Sequence, residues 1–440
     1  DEIDLITTNE QYKFIKANVI ENIDENQINL EFSIIDSEKF YIDRIDIFGN
    51  TVTADNVIRN KLLLDEGDPF SEILLNKSIN NVKSSNFFKN VNSKIINNNN
   101  STKSIDIYVE EKPTGEIYAS AGVGTSGSSI GFGVRENNFM GNGIGLDTNF
   151  QLSTDAFKGK FSVSNPNYKN SDKSLFLSAE ASENDNLERF GYKTNKTGVS
   201  IGTDFEYLND FYVGINNSHF YEKIETNSTA SAMQKKQEGN YWDSFMRFDM
   251  NYDKRNQKFQ TSSGFNSFYS LDLPIISDTS TIKNYYNYSH YFSFFEKNFS
   301  SISLYLETAN SLNNKDIKLS ERINIPSNRL RGFEAGRVGP KDGDDFIGGN
   351  YAYSVNFVSN IPQIFEESQN VDFSFFADAA ELWGVDYDSS IEGDGIRSSF
   401  GLALDWFSPV GPMNFTFAIP ISKQTGDKTE SFRFNLGTSF

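Results

Sequence analysis

The chain has 440 residues and a formal net charge of −20, which argues against a nucleic-acid partner because phosphate backbones are bound by clustered Lys and Arg. It has no cysteine and only two histidines, far apart in sequence, so no catalytic residue, metal site or cofactor is predicted. Its 40 Phe and 20 Tyr, with a mean hydropathy of −0.49, favour β-strands in which apolar and polar residues alternate.

The N-terminal region is predicted to hold one complete small α+β domain. In residues 38–112 a strand is followed by two helices and by the short strands NVNSKII and SIDIYVE, in the order β-α-α-β-β. Thr53 and Ser71 are the expected N-caps of the two helices. Residues 1–37 carry only two strand-like runs, so we expect them to be the C-terminal remnant of a preceding copy of the same domain.

From residue 115 onwards the sequence changes to long segments of alternating polarity. In 144–152, Ile, Leu, Thr and Phe fall on one face, and Gly, Asp, Asn and Gln fall on the other. No run approaches the roughly 18 apolar residues of a membrane helix, so any membrane span is expected to consist of strands. Sixteen candidate strands can be counted, and many are long enough to match the about 9–11 tilted residues that cross a bilayer.

The predicted connections mostly alternate between short turns and long loops, of which 310–348 is the longest. This asymmetry is typical of outer-membrane barrels, which have short periplasmic turns and longer outer loops. With the small domain in the periplasm, the first strand runs outward and an even strand count returns the C-terminus to the periplasm. Residues 115–440 are therefore predicted to form a transmembrane β-barrel with 310–348 on its outer side.

Several motifs, taken in order, resemble the BamA-type outer-membrane assembly factors. Chains of that family carry periplasmic POTRA domains followed by a sixteen-stranded antiparallel barrel, and the order of elements in 38–112 matches one POTRA domain. The sixth outer loop of the family carries an Arg-Gly-Phe/Tyr motif followed by Gly-Pro. The matching positions here are Leu330, Arg331, Gly332, Phe333, Gly339 and Pro340. The resemblance implies that loop 310–348 folds into the barrel and that its arginine meets acidic residues on the inner wall.

The alternation in strand 371–380 independently supports a partner for this arginine. It places Asp378 on the lumen face, where a charge-assisted contact with Arg331 is expected. The family usually has a glutamate on the neighbouring strand, where this sequence has Asn356. Asn356 can accept a hydrogen bond through its amide oxygen but adds no charge, so Asp378 is left as the main anchor.

The first and last barrel strands, EIYASAGVG and ESFRFNLGTSF, are predicted to meet at a weak seam. The first is rich in small residues, and Gly437 removes side-chain packing from the last. The candidate seam residues are Tyr118, Ala119, Gly122, Phe434, Gly437 and Phe440. A strand edge released at such a seam can serve as a template for an incoming strand.

The resemblance implies an insertase of the bacterial outer membrane rather than an enzyme. Such a protein receives unfolded outer-membrane proteins in the periplasm and promotes their folding into the lipid bilayer, with accessory periplasmic lipoproteins as partners. The NVNSKII strand is either an edge that binds by strand addition or part of a structural hinge. A POTRA-containing secretion pore is the alternative function, and a structural or adhesive surface barrel is a third.

Overall fold

Alternating polarity produces strands along most of the chain. The computed structural model describes residues 15–24, 27–36, 40–98, 101–125, 127–258, 260–362, 370–391, 393, 395–408 and 411–437. By its internal contacts the chain forms two compact units. The first unit holds residues 1–116, 135–146 and 165–171, and the second holds 117–134, 147–164 and 172–440.

The N-terminal strands form a hairpin. Strands β1 (Ile15–Asp24) and β2 (Gln27–Asp36) pair in antiparallel fashion along their whole length. They lie within the segment that the sequence assigns to a preceding POTRA domain, and that assignment remains a prediction.

A three-stranded sheet and two helices form the small domain, in the predicted β-α-α-β-β order. Its elements are β3 (Tyr41–Phe48), α1 (Asp55–Arg59), α2 (Glu72–Ser84), β4 (Phe88–Asn97) and β5 (Thr102–Glu111). The strands lie in the order β3-β5-β4, with β3 parallel and β4 antiparallel to β5. Helix α2 buries Leu75, Ile79 and Val82, which recur at helical spacing, in the domain core. Because β5 is central, β4 is an edge strand.

The two helices begin differently. The Ser71 hydroxyl caps α2, as predicted, by accepting a hydrogen bond from the Leu74 amide at 3.3 Å. The prediction that Thr53 caps α1 is wrong, because the N-cap is Ala54 and makes no side-chain hydrogen bond. Helix α1 is short, and a residue distant in sequence stabilises the turn that precedes it.

That residue is Glu111, at the end of β5. Its carboxylate accepts hydrogen bonds from the amides of Thr51, Val52 and Thr53 at 3.0, 3.0 and 2.6 Å, and from the Thr51 hydroxyl at 2.7 Å. Partial burial raises the pKa of Glu111, but these donors outweigh burial and lower the pKa to about 2. The ionised carboxylate therefore stabilises the turn that leads into α1.

We expect Glu111→Gln to lower the free energy of unfolding of a 38–112 fragment by about 1–2 kcal/mol at pH 7, because glutamine keeps an acceptor but loses the charge. The folded pKa lies below the ordinary value of 4.5, so the contribution is complete above about pH 4.5 and is lost as the pH falls toward 2. The difference between parent and variant should therefore shrink with acidification.

Urea unfolding at pH 7 and pH 3 measures this effect. Glu110→Gln is a suitable control, since the Glu110 carboxylate contacts Lys89 and Asn90 on the exposed surface. Equal urea midpoints for the parent and Glu111→Gln at pH 7 would contradict the role assigned to Glu111.

Sixteen antiparallel strands close into a barrel, which confirms the predicted fold. Each strand pairs with its neighbours in chain order, and the last pairs with the first. The barrel strands are β6 (Gly115–Gly124), β7 (Gly127–Phe139), β8 (Ile144–Ser153), β9 (Ala156–Asn165), β10 (Leu175–Asn186), β11 (Tyr192–Leu208), β12 (Phe211–Thr226), β13 (Gly239–Asp253), β14 (Gly264–Ser277), β15 (Thr281–Phe292), β16 (Ser300–Ser311), β19 (Tyr351–Ile361), β20 (Val371–Trp383), β21 (Arg397–Ser408), β22 (Gly411–Ser422) and β23 (Phe432–Gly437).

Short elements occupy some of the connections. Strands β17 (Lys341–Asp342) and β18 (Asp345–Phe346) pair with each other between β16 and β19. Short helical segments are α3 (Leu187–Phe190), α4 (Ala232–Lys235) and the 3₁₀ turns Tyr168–Asn170 and Leu319–Glu321. No helix within the described ranges is both long and apolar enough to span a membrane.

The barrel wall has the opposite polarity to that of a soluble domain. Outward-facing Phe417 and Ile419 on β22 are 56% and 58% exposed, whereas Ser354 and Asp378 on the inner face are 0% and 2% exposed. Apolar side chains on the outside suit a hydrocarbon environment, and the polar lumen face bonds to other polar groups. The alternation read from the sequence therefore corresponds to the two faces of a transmembrane wall.

Candidate functional site: the inward loop and the barrel seam

The long connection between β16 and β19 lies inside the barrel. Its buried apolar side chains belong to Ile317, Leu319, Ile323, Ile325, Leu330, Phe333, Val338, Phe346 and Ile347. Many of them pack against Tyr305, Ala352, Ala380 and Leu382 on the barrel wall. The two wall alanines leave room for bulky loop side chains. Removing this apolar surface from water favours the inward position of the loop.

Arg331 and Asp378 join the loop to strand β20. The guanidinium donates through Nε and Nη2 to the two carboxylate oxygens of Asp378 at 2.8 and 2.7 Å. The Arg331 amide also donates to Oδ2 at 3.0 Å. The Asp378 side chain is fully buried, and the guanidinium lies 3.6 Å from the centroid of the Phe376 ring. This bidentate, charge-assisted geometry with a cation–π contact makes a strong anchor.

Asn356 lies directly opposite Asp378 in the register of β19 and β20. Its amide nitrogen donates to Asp378 Oδ1 and to the Arg329 carbonyl, both at 2.8 Å. Its amide oxygen accepts from the Ser354 hydroxyl at 2.9 Å rather than from the loop. Asn356 thus supports the carboxylate as a donor. Within the described part of the chain, Asp378 is the one carboxylate paired with Arg331.

The other motif residues fit the loop closely against the wall. Leu330, Phe333 and Pro340 are buried. Gly332 and Gly339 have φ angles of +90° and +91°, a region that glycine adopts without strain. A Cβ atom at either glycine would also crowd side chains of the barrel wall. Both glycines therefore have a steric reason to be present.

Lys318 forms a second charged anchor that sequence reasoning missed. Its side chain is 1% exposed, and its ammonium group donates to Glu222 on β12 at 2.9 Å and to Asp243 on β13. Further along the loop, Arg322 pairs with Asp386 after β20. Alternation places Glu222 and Asp243 in the lumen, but no sequence signal links them to a lysine roughly 75–96 residues away. The loop is therefore held at separate parts of the wall.

Strands β23 and β6 close the barrel through a short seam. Among the described residues they share three register pairs: Gly122 with Gly437, Val123 with Leu436, and Gly124 with Asn435. Strands β20 and β21, by comparison, share ten pairs. Gly437 has a φ of +78°, and a Cβ there would lie 2.2 Å from the Ala121 carbonyl oxygen. Few side chains are available to hold this seam together.

The remaining predicted seam residues occupy different positions. Phe434 stacks on Phe415 of β22, with ring centroids 6.3 Å apart, and its carbonyl accepts a hydrogen bond at 3.1 Å from the amide of Thr125, directly after β6. Tyr118 and Ala119 lie earlier on β6 than the described seam pairs. Phe440 lies outside the described residues. The structure thus pairs the predicted glycines at 122 and 437 and places the Phe434 backbone at the same seam.

A sixteen-stranded barrel with an inward loop, preceded by a small β-α-α-β-β domain, defines the class of POTRA-containing outer-membrane barrels. The Omp85 superfamily domain matches residues 138–440, and a POTRA domain, described as a surface antigen variable number repeat, matches residues 40–112. The chain therefore belongs to the Omp85 superfamily.

Similar curated proteins include the outer membrane protein assembly factors BamA of Neorickettsia risticii (strain Illinois) and Neisseria meningitidis serogroup B (strain MC58). Each is 24% identical to this chain, over 94% and 98% of its length respectively. The matches cover 57% and 60% of the two relatives, so the chain spans about three-fifths of their length.

Two solved structures show the same fold. BamA from Haemophilus ducreyi lacking POTRA domains 1–3 has a TM-score of 0.82 at 24% identity, covering 100% of this chain and 94% of that chain. CdiB from Acinetobacter baumannii has a TM-score of 0.57 at 12% identity, covering 99% of this chain and 80% of that chain.

Proposed function

We propose that this chain is the membrane-inserting part of an outer-membrane protein assembly factor. The observation that carries the proposal is the seam, where β6 and β23 share three pairs among the described residues, against five for β22 and β23 and ten for β20 and β21. Backbone groups of a strand entering lipid must find hydrogen-bond partners, and an opened seam offers them. The sequence similarity to two proteins named assembly factors supports the same function.

Insertion in this proposal exchanges hydrogen bonds and neither makes nor breaks a covalent bond. At about 0.5–1.5 kcal/mol net for each backbone hydrogen bond, separating a short seam costs a few kcal/mol. Separating the ten-pair ladder of β20 and β21 would cost several-fold more. The seam is therefore the place where the barrel opens, and unfolded outer-membrane proteins are the proposed clients.

The POTRA domain is proposed to lie in the periplasm, where clients arrive. Its strand β4 is at the edge of the sheet β3-β5-β4 and has one side free of strand partners within the described residues. An extended segment of a client can pair with such an edge by strand addition. Accessory periplasmic lipoproteins are proposed as further partners on the family resemblance alone.

A POTRA-containing secretion pore is the second candidate. The inward loop favours the insertase. It fills part of the lumen with buried apolar side chains and is held there by Arg331 and Lys318. An aqueous path through the barrel is obstructed as long as these contacts persist, so low steady conductance in planar bilayers is expected. A large steady conductance would favour the pore.

Reconstitution tests the proposed function directly. The whole protein is placed in liposomes with a small unfolded barrel protein, and client folding is followed by heat-modifiable migration and protease protection. We expect faster folding than in empty liposomes or in liposomes that hold an unrelated barrel of similar size. Folding no faster than in these two controls would overturn the proposal.

A further inference from the structure

The last outer connection, residues 423–431, leads directly into the seam strand β23, and it pairs with the inward loop. Three amide-to-carbonyl hydrogen bonds of 2.9–3.0 Å form a short antiparallel ladder: Glu334 to Lys428, Lys428 to Arg337, and Glu430 to Gly332. An isolated β-bridge between Phe333 and Thr429 lies in the same ladder. Backbone pairing of the antiparallel type thus joins the loop motif to the residues that precede β23.

Arg433 extends this connection into β23 itself. The residue is 9% exposed, and its Nη2 and Nη1 atoms donate to the carbonyls of Phe333 and Ser327 at 2.9 and 3.2 Å. Its Nε atom donates to the Glu430 carboxylate at 2.8 Å. One guanidinium therefore bonds to two carbonyls of the loop and to the acidic residue just before the seam strand.

The motif 331–333 makes both the contacts to residues 430 and 433 and the Arg331 contact with Asp378. Its three successive carbonyls accept hydrogen bonds from the Ser399 hydroxyl, the Glu430 amide and Arg433 Nη2, in that order. The Arg331 side chain is fixed to Asp378 on β20. The short motif is thus tied to strands β20 and β21 on one side and to the seam strand on the other.

We propose that Arg433 is a positioning residue that latches the seam strand to the inward loop, so that movement of the loop and opening of the seam are coupled. This inference rests on the proposed function, in which the seam opens. The hydrogen bonds from Arg433 to the loop involve none of the residues in the three seam pairs. Losing them frees the lumen side of β23 from the loop without removing a seam pair.

Amide hydrogen exchange of the whole protein in lipid nanodiscs, without client, tests the latch. When reclosing is fast, the exchange rate of a protected amide is proportional to the population of its open state. Arg433→Gln is expected to accelerate exchange in peptides from β6 and β23 by about three- to tenfold. This factor corresponds to the net free energy of one or two hydrogen bonds. Peptides from β20 and β21 should keep their parent rates.

Arg247→Gln is the matched control. It removes a bidentate arginine–carboxylate pair, between Arg247 on β13 and Asp272 on β14, at a distance from the seam strands in the barrel order. Its seam peptides should exchange at the parent rate. Unchanged seam exchange in Arg433→Gln, or equal acceleration of all barrel strands, would overturn the latch.

Combination with Arg331→Ala tests whether the effect passes through the loop. Once the loop is released, adding Arg433→Gln should change seam exchange by less than about twofold, because both substitutions act by releasing the same loop. Full acceleration in both backgrounds would show that Arg433 acts locally and would overturn the coupling. If Arg433→Gln does not assemble, Arg433→Lys replaces it, since lysine keeps the charge but lacks the planar fork.

For Arg433→Lys we expect a smaller acceleration, of about twofold, because a single ammonium group replaces a guanidinium that bonds three acceptors. Seam exchange at the parent rate in this variant would also overturn the latch. Exchange is measured without client, so failure of the latch leaves the insertase proposal standing. Conversely, an absence of insertion together with accelerated seam exchange would overturn the insertase and leave the latch.

Discussion

Arg331→Ala is expected to lower the stability of the folded barrel by about 3–5 kcal/mol and to remove most client insertion, because it leaves a buried carboxylate without its cation. Asp378 would retain the Asn356 amide at 2.8 Å, which donates a hydrogen bond but cannot neutralise the charge. The loop ladder to 428–430 would lose its fixed end at the same time. Urea unfolding followed by heat-modifiable migration measures stability, and the liposome assay measures insertion.

Two substitutions separate charge from geometry in this prediction. Arg331→Lys should give an intermediate loss, since an ammonium group cannot engage both carboxylate oxygens as a guanidinium fork does. Arg337→Ala is the control on the same loop, because Arg337 makes a partly exposed 3.6 Å pair with Glu334. Stability of Arg331→Ala equal to that of Arg337→Ala would contradict the anchor.

A double substitution provides a further check on the same pair. Removing Asp378 together with Arg331 leaves no buried unpaired charge, so Arg331→Ala with Asp378→Ala should cost less than the sum of the two single changes. Simple additivity would mean that the two residues do not interact in the folded protein.

A disulfide between cysteines at Val123 and Leu436 is expected to reduce client insertion at least tenfold, and reductant should restore it. These two positions are directly opposite each other in the seam. Facing residues of an antiparallel pair have Cα atoms about 4.5–5.5 Å apart, a separation that a disulfide can bridge. The chain has no cysteine of its own, so the engineered bond is the only one that can form.

The matched control places the same bond in a long ladder. Phe375 and Leu402 face each other across β20 and β21 on the outer surface of the barrel. Oxidising cysteines at these positions should leave insertion near its parent rate, because this ladder stays paired in the proposed mechanism. Undiminished insertion by the oxidised seam variant would exclude opening between β6 and β23.

Much of the fold could be predicted because its signals are local. Alternation at a period of two residues identified the sixteen barrel strands and the inner position of Asp378. Helical spacing and a serine at the N-cap located α2, whose cap bond spans only three residues. The failure at Thr53 has a simple cause. The acceptor that orders this turn is Glu111, which lies 58 residues further along the chain.

The candidate site divides in the same way. The Arg331 motif and the seam glycines can be recognised in the sequence by residue type and position. The resemblance to one family then indicated a role for them. The partners of Lys318 and Arg433 cannot be recognised in the sequence, because a charged residue in a loop or a strand looks the same whether its side chain faces water or a buried acceptor. The contacts of Lys318 with Glu222 and Asp243, and of Arg433 with the loop carbonyls, span 75–106 residues and exist only after the loop has entered the lumen.

By itself, the sequence determined which segments are strands, which faces of those strands point inward, and where the longest loop leaves the wall. These properties follow from short-range alternation and turn chemistry. Only the tertiary structure showed the further contacts that hold the loop, because closing the barrel is what brings β12, β13 and β23 within hydrogen-bond distance of it. Burial in the lumen then turns ordinary surface charges into anchors.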